Sequence, residues 1–248
     1  MELFEEYAKI LIDLINEIKE KEKENILKAA NVVADALMKG KIIHAFGPGH
    51  GRQAVDELFF RAGGLVPVNP IYDPGVSLEH VLRCVLIEQI PGYIKASIDY
   101  YNVNEGDVAI IANYVGVDAV TIDAALEFKR RNAITIGISS AKFCDAVPID
   151  SPMRHPSKKN LYEIVDIFID THAPPGDAVL EVRGLNVKVA PVTTVAYAYI
   201  INSIVAQSVK ILVERGVEPP IWLSTSLPGA EEHNRRYIQK YYGKIKHL

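Results

Sequence analysis

Cysteine is almost missing from this chain: its 248 residues include two, Cys84 and Cys144. One possible pair is no disulfide framework, and two cysteines without a nearby histidine pair do not make a zinc site. No other grouping of His, Cys, Asp and Glu has metal-ligand spacing, so no metal is expected. Long apolar runs are missing too, since none reaches the ~18 uninterrupted residues of a membrane span. Positive charge is not in excess either, with 27 Lys+Arg against 31 Asp+Glu. That balance argues against a general binder of nucleic acid or anionic membranes, and neither is expected as a partner. The first residues include Glu2, Glu5 and Glu6, whereas a secretory signal starts basic and continues apolar. A cytoplasmic protein is the expectation.

What the chain does have is apolar content: 49% hydrophobic against 23% charged residues. A chain of this length buries roughly 70–75% of the surface its unfolded form exposes, so its core needs no staple. Residues 2–39 carry an apolar stripe at helical spacing, interrupted by the charged run from Lys19 to Asn25. Two helices separated by a break are predicted, with Gly40 as the stop. Beyond it, short apolar runs alternate with helical stretches. Strands are predicted at 41–46, 65–69, 107–112, 133–138 and 166–170, with helices at 52–62 and 118–131. Continuous apolar strands with helical crossovers describe a doubly wound α/β three-layer sandwich with about five central parallel strands. A hairpin over 179–190 is expected as an appendage of the sheet. Residues 192–215 form a helix apolar nearly all round, suited to a core or an interface between subunits. An amphipathic helix follows at 231–242. The whole chain reads as one domain: N-terminal helices (1–39), sheet core (41–215) and C-terminal extension (216–248).

In an open α/β sheet ligands bind beyond the carboxyl ends of the strands. The loop Gly47, Pro48, Gly49, His50, Gly51, Arg52 lies between a strand and a helix. Glycines there let the backbone approach an anion, and helix N–H groups favour a phosphate. The same loop also serves as a tight turn without a ligand, and Arg52 either pairs a phosphate or begins a solvated helix. A dinucleotide fingerprint is incomplete, because position 52 is Arg and the next strand ends at the neutral Asn69. Ser139 and Ser140 end the fourth strand as phosphate-binding hydroxyls or as helix caps.

This order of a strand, a Gly-x-Gly-His loop, a helix and a later strand ending in serines resembles the SIS (sugar isomerase) domain. The segments Phe60 to Pro70, Arg154 to Ser157, Leu161 to Glu163 and Ala173 to Ala178 resemble a branch of single-SIS-domain proteins similar to phosphoheptose isomerase. The resemblance implies a sugar-phosphate ligand, no cofactor and a homodimer or larger assembly. It also implies an aldose–ketose isomerase working through an enediol(ate), or alternatively a non-catalytic phosphosugar-binding or regulatory protein. Two positions depart from the family pattern. Gly51 stands where Ser or Thr is usual, and the loop at 113–117 offers no hydroxyl except Tyr114.

Isomerisation needs a base over carbon and fixed donors for an oxyanion. Catalytic candidates are Glu57, Glu79, His80 and His233, each with an ordinary surface role as its alternative. Binding candidates are Gly47, Gly49, His50, Gly51, Arg52, Asn69, Asn113, Ser139, Ser140, His155 and Asp177. Of these, His155 sits in a cationic cluster and Asp177 in a rigid turn that also suits a cap.

Overall fold

The computed structural model describes residues 2–248. Two helices open it, α1 (Leu3–Lys21) and α2 (Lys23–Met38), and they part at the charged run, where no apolar residue continues the stripe. Five short strands follow: β1 (Ile43–Phe46), β2 (Val68–Pro70), β3 (Val108–Ala112), β4 (Ile134–Ser139) and β5 (Ile167–Asp170). They form one parallel sheet in the order β2-β1-β3-β4-β5. Parallel neighbours require crossovers. These are α3 (Arg52–Leu58), the pair α4 (Val81–Ile87) and α5 (Lys95–Tyr100), α6 (Ala119–Arg130) and α7 (Ala141–Ala146).

Alternation along the strands supplies both faces of the sheet. Ile43, Ala45, Ile110 and Ile138 join a core with α2, α3 and the long helix α8 (Thr193–Glu214). Phe46, Ala109 and Ile111 join the opposite core, with Ile98 of α5 and Phe128 of α6. By length and composition α8 is apolar enough to cross a membrane. Here Tyr197, Ile200 and Ile204 are buried in the first core, so much of its apolar surface is absorbed within the chain. A last helix, α9 (Ala230–Tyr241), packs Tyr237 and Tyr241 with Trp222 and Val66.

Four points of the sequence-based expectation need correction. The helix after the glycine loop stops at Leu58 rather than residue 62, because Phe60 and Gly63 adopt positive φ and turn the chain. Leu65 and Val66 then leave the sheet to meet the segment at 220–222, where Val66 N–H donates to Pro220 at 2.8 Å. The hairpin β6 (Ala178–Leu180) and β7 (Val189–Pro191) is antiparallel but forms its own two-stranded sheet. It is tied instead to α1, where the Tyr7 hydroxyl donates to the Pro191 carbonyl at 2.5 Å. Finally, α4 and α5 have no counterpart in the sequence reading.

Candidate functional site

With strand order 2-1-3-4-5, the chain leaves β1 and β3 toward opposite edges, and a crevice opens between their following loops. A cleft of about 210 Å³ lies at this switch point. Pro48, Gly49 and His50 form one wall and Asn113, Tyr114 and Val115 the other, while α4 closes the side with Val81, Cys84 and Val85.

Each wall is built by local rules. Gly49 has φ +52°, the left-handed region that glycine enters without a Cβ penalty. Gly51 has ordinary helical φ, so its constraint is space: a Cβ there would overlap the Ala112 carbonyl oxygen. This explains why the position holds no Ser or Thr, since the first loop rests directly on the end of β3. Gly47 is crowded in the same way, its Cβ position lying 2.9 Å from that oxygen. In the second loop the Asn113 side chain accepts from the N–H groups of Val115 and Gly116, both at 2.8 Å. Its amide donates to Asp118 Oδ2 at 2.8 Å, and Asp118 caps α6 by accepting from Thr121 N–H at 2.9 Å. Asn113 therefore lines the cleft as the brace of its own loop.

The group that stands out chemically was not among the candidates. Glu88 follows α4 and lines the cleft. Its backbone is held at both ends: N–H donates to Cys84 at 2.9 Å, and the carbonyl accepts from Val120 N–H at 3.1 Å. The side chain reaches over Gly49, where an added Cβ would lie 2.9 Å from Oε1, so the glycine leaves room for the carboxylate. Among the described residues its side chain has one hydrogen-bond partner, the weakly donating Cys84 thiol at 3.3 Å. Burial pushes the Glu88 carboxyl up to about 7, with the nearby Asp118 charge adding to the shift. Burial also lifts Asp118 to about 6, against the opposing pull of its hydrogen bonds from Thr121 and Asn113. The Cys84 thiol rises to about 12, first through burial and then through Glu88, so it is no thiolate nucleophile at neutral pH.

Of the sequence candidates, the structure brings Gly49, His50 and Asn113 to the cleft wall, with Gly47 and Gly51 shaping the loop behind it. The others are placed elsewhere. Arg52 is held away by carboxylates, donating to Glu79 at 3.1 Å and lying 3.5 Å from Asp56, with its guanidinium over the Tyr72 ring. Glu79 is thereby an exposed partner of Arg52, and His80 is exposed at the head of α4. Glu57 points at α8, where Asn202 donates to it at 2.9 Å. His233 lies 2.8 Å from the Ile221 carbonyl within the C-terminal extension.

Asn69 is fully buried on the edge strand and accepts from Lys246 N–H at 3.0 Å, anchoring the chain's last residues. The serine hydroxyls are spent internally. Ser140 caps α7 and donates to Ala173 at 2.6 Å, while Ser139 lies under the second loop, 3.4 Å from the Tyr114 carbonyl. His155 staples its loop to Asp123 at 3.1 Å. Asp177 accepts from Val192 and Thr193 N–H groups and ties down the start of α8. Polar residues at strand ends thus serve packing more than the cleft. Glu88 escaped notice because helical periodicity is unreadable over the seven residues of α4. A lone acid closing an otherwise mostly apolar run, four residues after Cys84, was the available signal.

Fold and cleft together define an α/β protein with a cleft at the sheet's switch point, walled by a glycine loop and a desolvated carboxyl. The SIS domain profile matches residues 6–140. A UPF0309 protein of Geobacillus thermodenitrificans (strain NG80-2) is 38% identical over 98% of this chain and 96% of its own length. Another, from Thermoanaerobacter pseudethanolicus (strain ATCC 33223 / 39E), is 36% identical over 98% of this chain and 99% of its own. The chain belongs to the SIS domain family and, within it, to the UPF0309 proteins. Its fold is that of phosphoheptose isomerase GmhA from Neisseria gonorrhoeae (TM-score 0.54, 15% identity, covering 85% of this chain and 98% of that one). A phosphoheptose isomerase from Francisella tularensis is similar at TM-score 0.52 and 12% identity, covering 83% of this chain and 95% of its own.

Proposed function

We propose that this protein binds a sugar phosphate in the switch-point cleft and interconverts its aldose and ketose forms through an enediol(ate). The observation that carries this reading is the Glu88 carboxyl, desolvated to a pKa near neutrality and facing the glycine loop. A base matched to the working pH suits abstraction of a proton next to a carbonyl. Glu88 takes that proton from carbon, the electron pair moves onto the carbonyl oxygen, the neighbouring hydroxyl passes its proton to that oxygen, and Glu88 returns the first proton to the former carbonyl carbon as the new carbonyl forms. Substrate and product are isomers, and no co-reactant is consumed. The phosphate is assigned to the backbone of Gly49 and His50 at the start of the turn, since the Gly51 N–H donates to the Pro48 carbonyl at 2.8 Å. His50, exposed on the cleft wall, is assigned to ring opening. The shared fold with two phosphoheptose isomerases supports the choice of reaction class.

A binding or regulatory role without turnover is the second reading. It is favoured by the internal use of Ser139 and Ser140, and by a cleft lined by no Lys or Arg among the described residues. Proton NMR in deuterated water separates the two readings. With a panel of hexose, heptose and amino-sugar phosphates, solvent deuterium is expected to enter C1 or C2 of at least one substrate. Saturable binding with no exchange in any member would leave the protein a binder.

The same reading includes a homodimer or larger assembly. Leu82 and Leu86 stand 82% and 68% exposed on α4 beside the cleft, and Phe4 of α1 is 72% exposed elsewhere, separate apolar surfaces that each favour self-association. Light scattering is expected to give at least twice the 27.4 kDa chain mass. A monomer at working concentration would remove this part of the proposal.

A further inference from the structure

At the other end of the sheet, where β1 begins, a second cavity of about 590 Å³ lies between α2, α8 and α9. It shares no lining residue with the switch-point cleft. Leu37 and Met38 of α2 supply apolar surface, and Tyr237 and Tyr241, four residues apart on α9, add the edges of two largely buried rings. The charges around it are lopsided for a chain with more acids than bases: Arg236, Lys240 and Lys244 face a single carboxylate, Glu218.

That carboxylate is already taken. Arg236 Nη2 donates to Glu218 at 2.7 Å, and its guanidinium lies over the Tyr237 ring, 4.7 Å from the centroid. Lys240 and Lys244 have no carboxylate within salt-bridge distance among the described residues, and Lys240 stands 5.4 Å from the centroid of the Tyr241 ring. Arg236 and Lys240 are like charges four residues apart on α9, a pairing that costs some stability and that a bound anion would relieve. Cavities of roughly 300–1,000 Å³ with apolar walls and a few convergent polar groups are the usual form of a small-molecule site.

We infer that this cavity is a second ligand site, for an organic phosphate of mononucleotide size. The phosphate sits on Lys240 and Lys244, and a planar body packs against Leu37, Met38 and the exposed edges of the tyrosine rings. The inference does not depend on the isomerase reading, because the cleft takes no part in it.

Calorimetric titration of the full chain with AMP tests the site, with inorganic phosphate and adenosine as controls. AMP is expected to bind once per chain, at least about tenfold more tightly than either control, because charge and ring are recognised together. The double variant Lys240→Glu/Lys244→Glu is expected to weaken AMP by about tenfold or more, while Glu88→Gln leaves it unchanged. Both lysines are exposed, so an unchanged melting temperature in the variant confirms that the fold is intact. No AMP binding, equal binding of inorganic phosphate, or AMP affinity insensitive to the charge reversal overturns the proposal. Loss of AMP binding in Glu88→Gln would place the nucleotide in the cleft and overturn it equally.

Discussion

Replacing Glu88 with Gln is expected to lower kcat for the proposed sugar-phosphate isomerisation by about 10²–10⁴-fold, the usual worth of a positioned general base. Gln keeps the shape over Gly49 but cannot take a proton, so KM should move far less than kcat. The wild-type rate should rise with pH through about 7, where the Glu88 carboxyl ionises. A stability signature accompanies the kinetic one. The folded-state pKa lies above the ordinary value of 4.5, so folding takes up a proton between those two pH values. Stability from this group is therefore complete below about pH 4.5 and is lost as pH rises through about 7. At pH 8 the Glu88→Gln variant should be the more stable protein, by at most about 3 kcal/mol, because solvent reaches part of the carboxyl. Thermal melts of both proteins from pH 4 to 8 measure this difference. A variant that retains full turnover, or one whose melting curve tracks the wild type at every pH, would show that Glu88 is an ordinary surface acid.

The second large effect is structural. Gly51→Ser restores the hydroxyl usual in SIS domains, yet it is expected to destabilise the protein by about 3 kcal/mol or more. A Cβ at this position meets the Ala112 carbonyl oxygen, which is backbone at the end of a central strand and has little room to move. For a chain of this size the loss corresponds to roughly 6–12 °C in melting temperature. A Ser variant that melts with the wild type would mean that the first loop is free to lift off β3. The walls of the cleft would then be less fixed than the contact implies.

These two residues also show where sequence reading succeeds and where it stops. Gly51 was visible as a departure from the family pattern, but its cause was not, because Ala112 lies 61 residues away and the overlap is of an added Cβ with its backbone oxygen. Arg52, Asn69, Ser139 and Ser140 are the polar types a phosphate site uses, and they stand at the right strand ends. Each is nevertheless claimed by a neighbour distant in sequence: Arg52 by Glu79, Asn69 by Lys246, Ser140 by Ala173 and Ser139 by the Tyr114 carbonyl. A buried hydroxyl or amide must find a partner, and which partner is near is a fact of packing.

What the sequence determined by itself was the architecture: five apolar runs of strand length, helices between them, a glycine loop after the first and a break at the charged run in the N-terminal helices. These follow from periodicity and local backbone preference, which act over a few residues and need no knowledge of the rest of the chain. Tertiary structure alone decided the site. Strand order put the loops after β1 and β3 side by side, and α4 was too short to announce itself before it packed beside them. Only then did Glu88 acquire its chemistry, because desolvation and the field of Asp118 depend on what surrounds a carboxyl in space, and neighbours in sequence do not specify it.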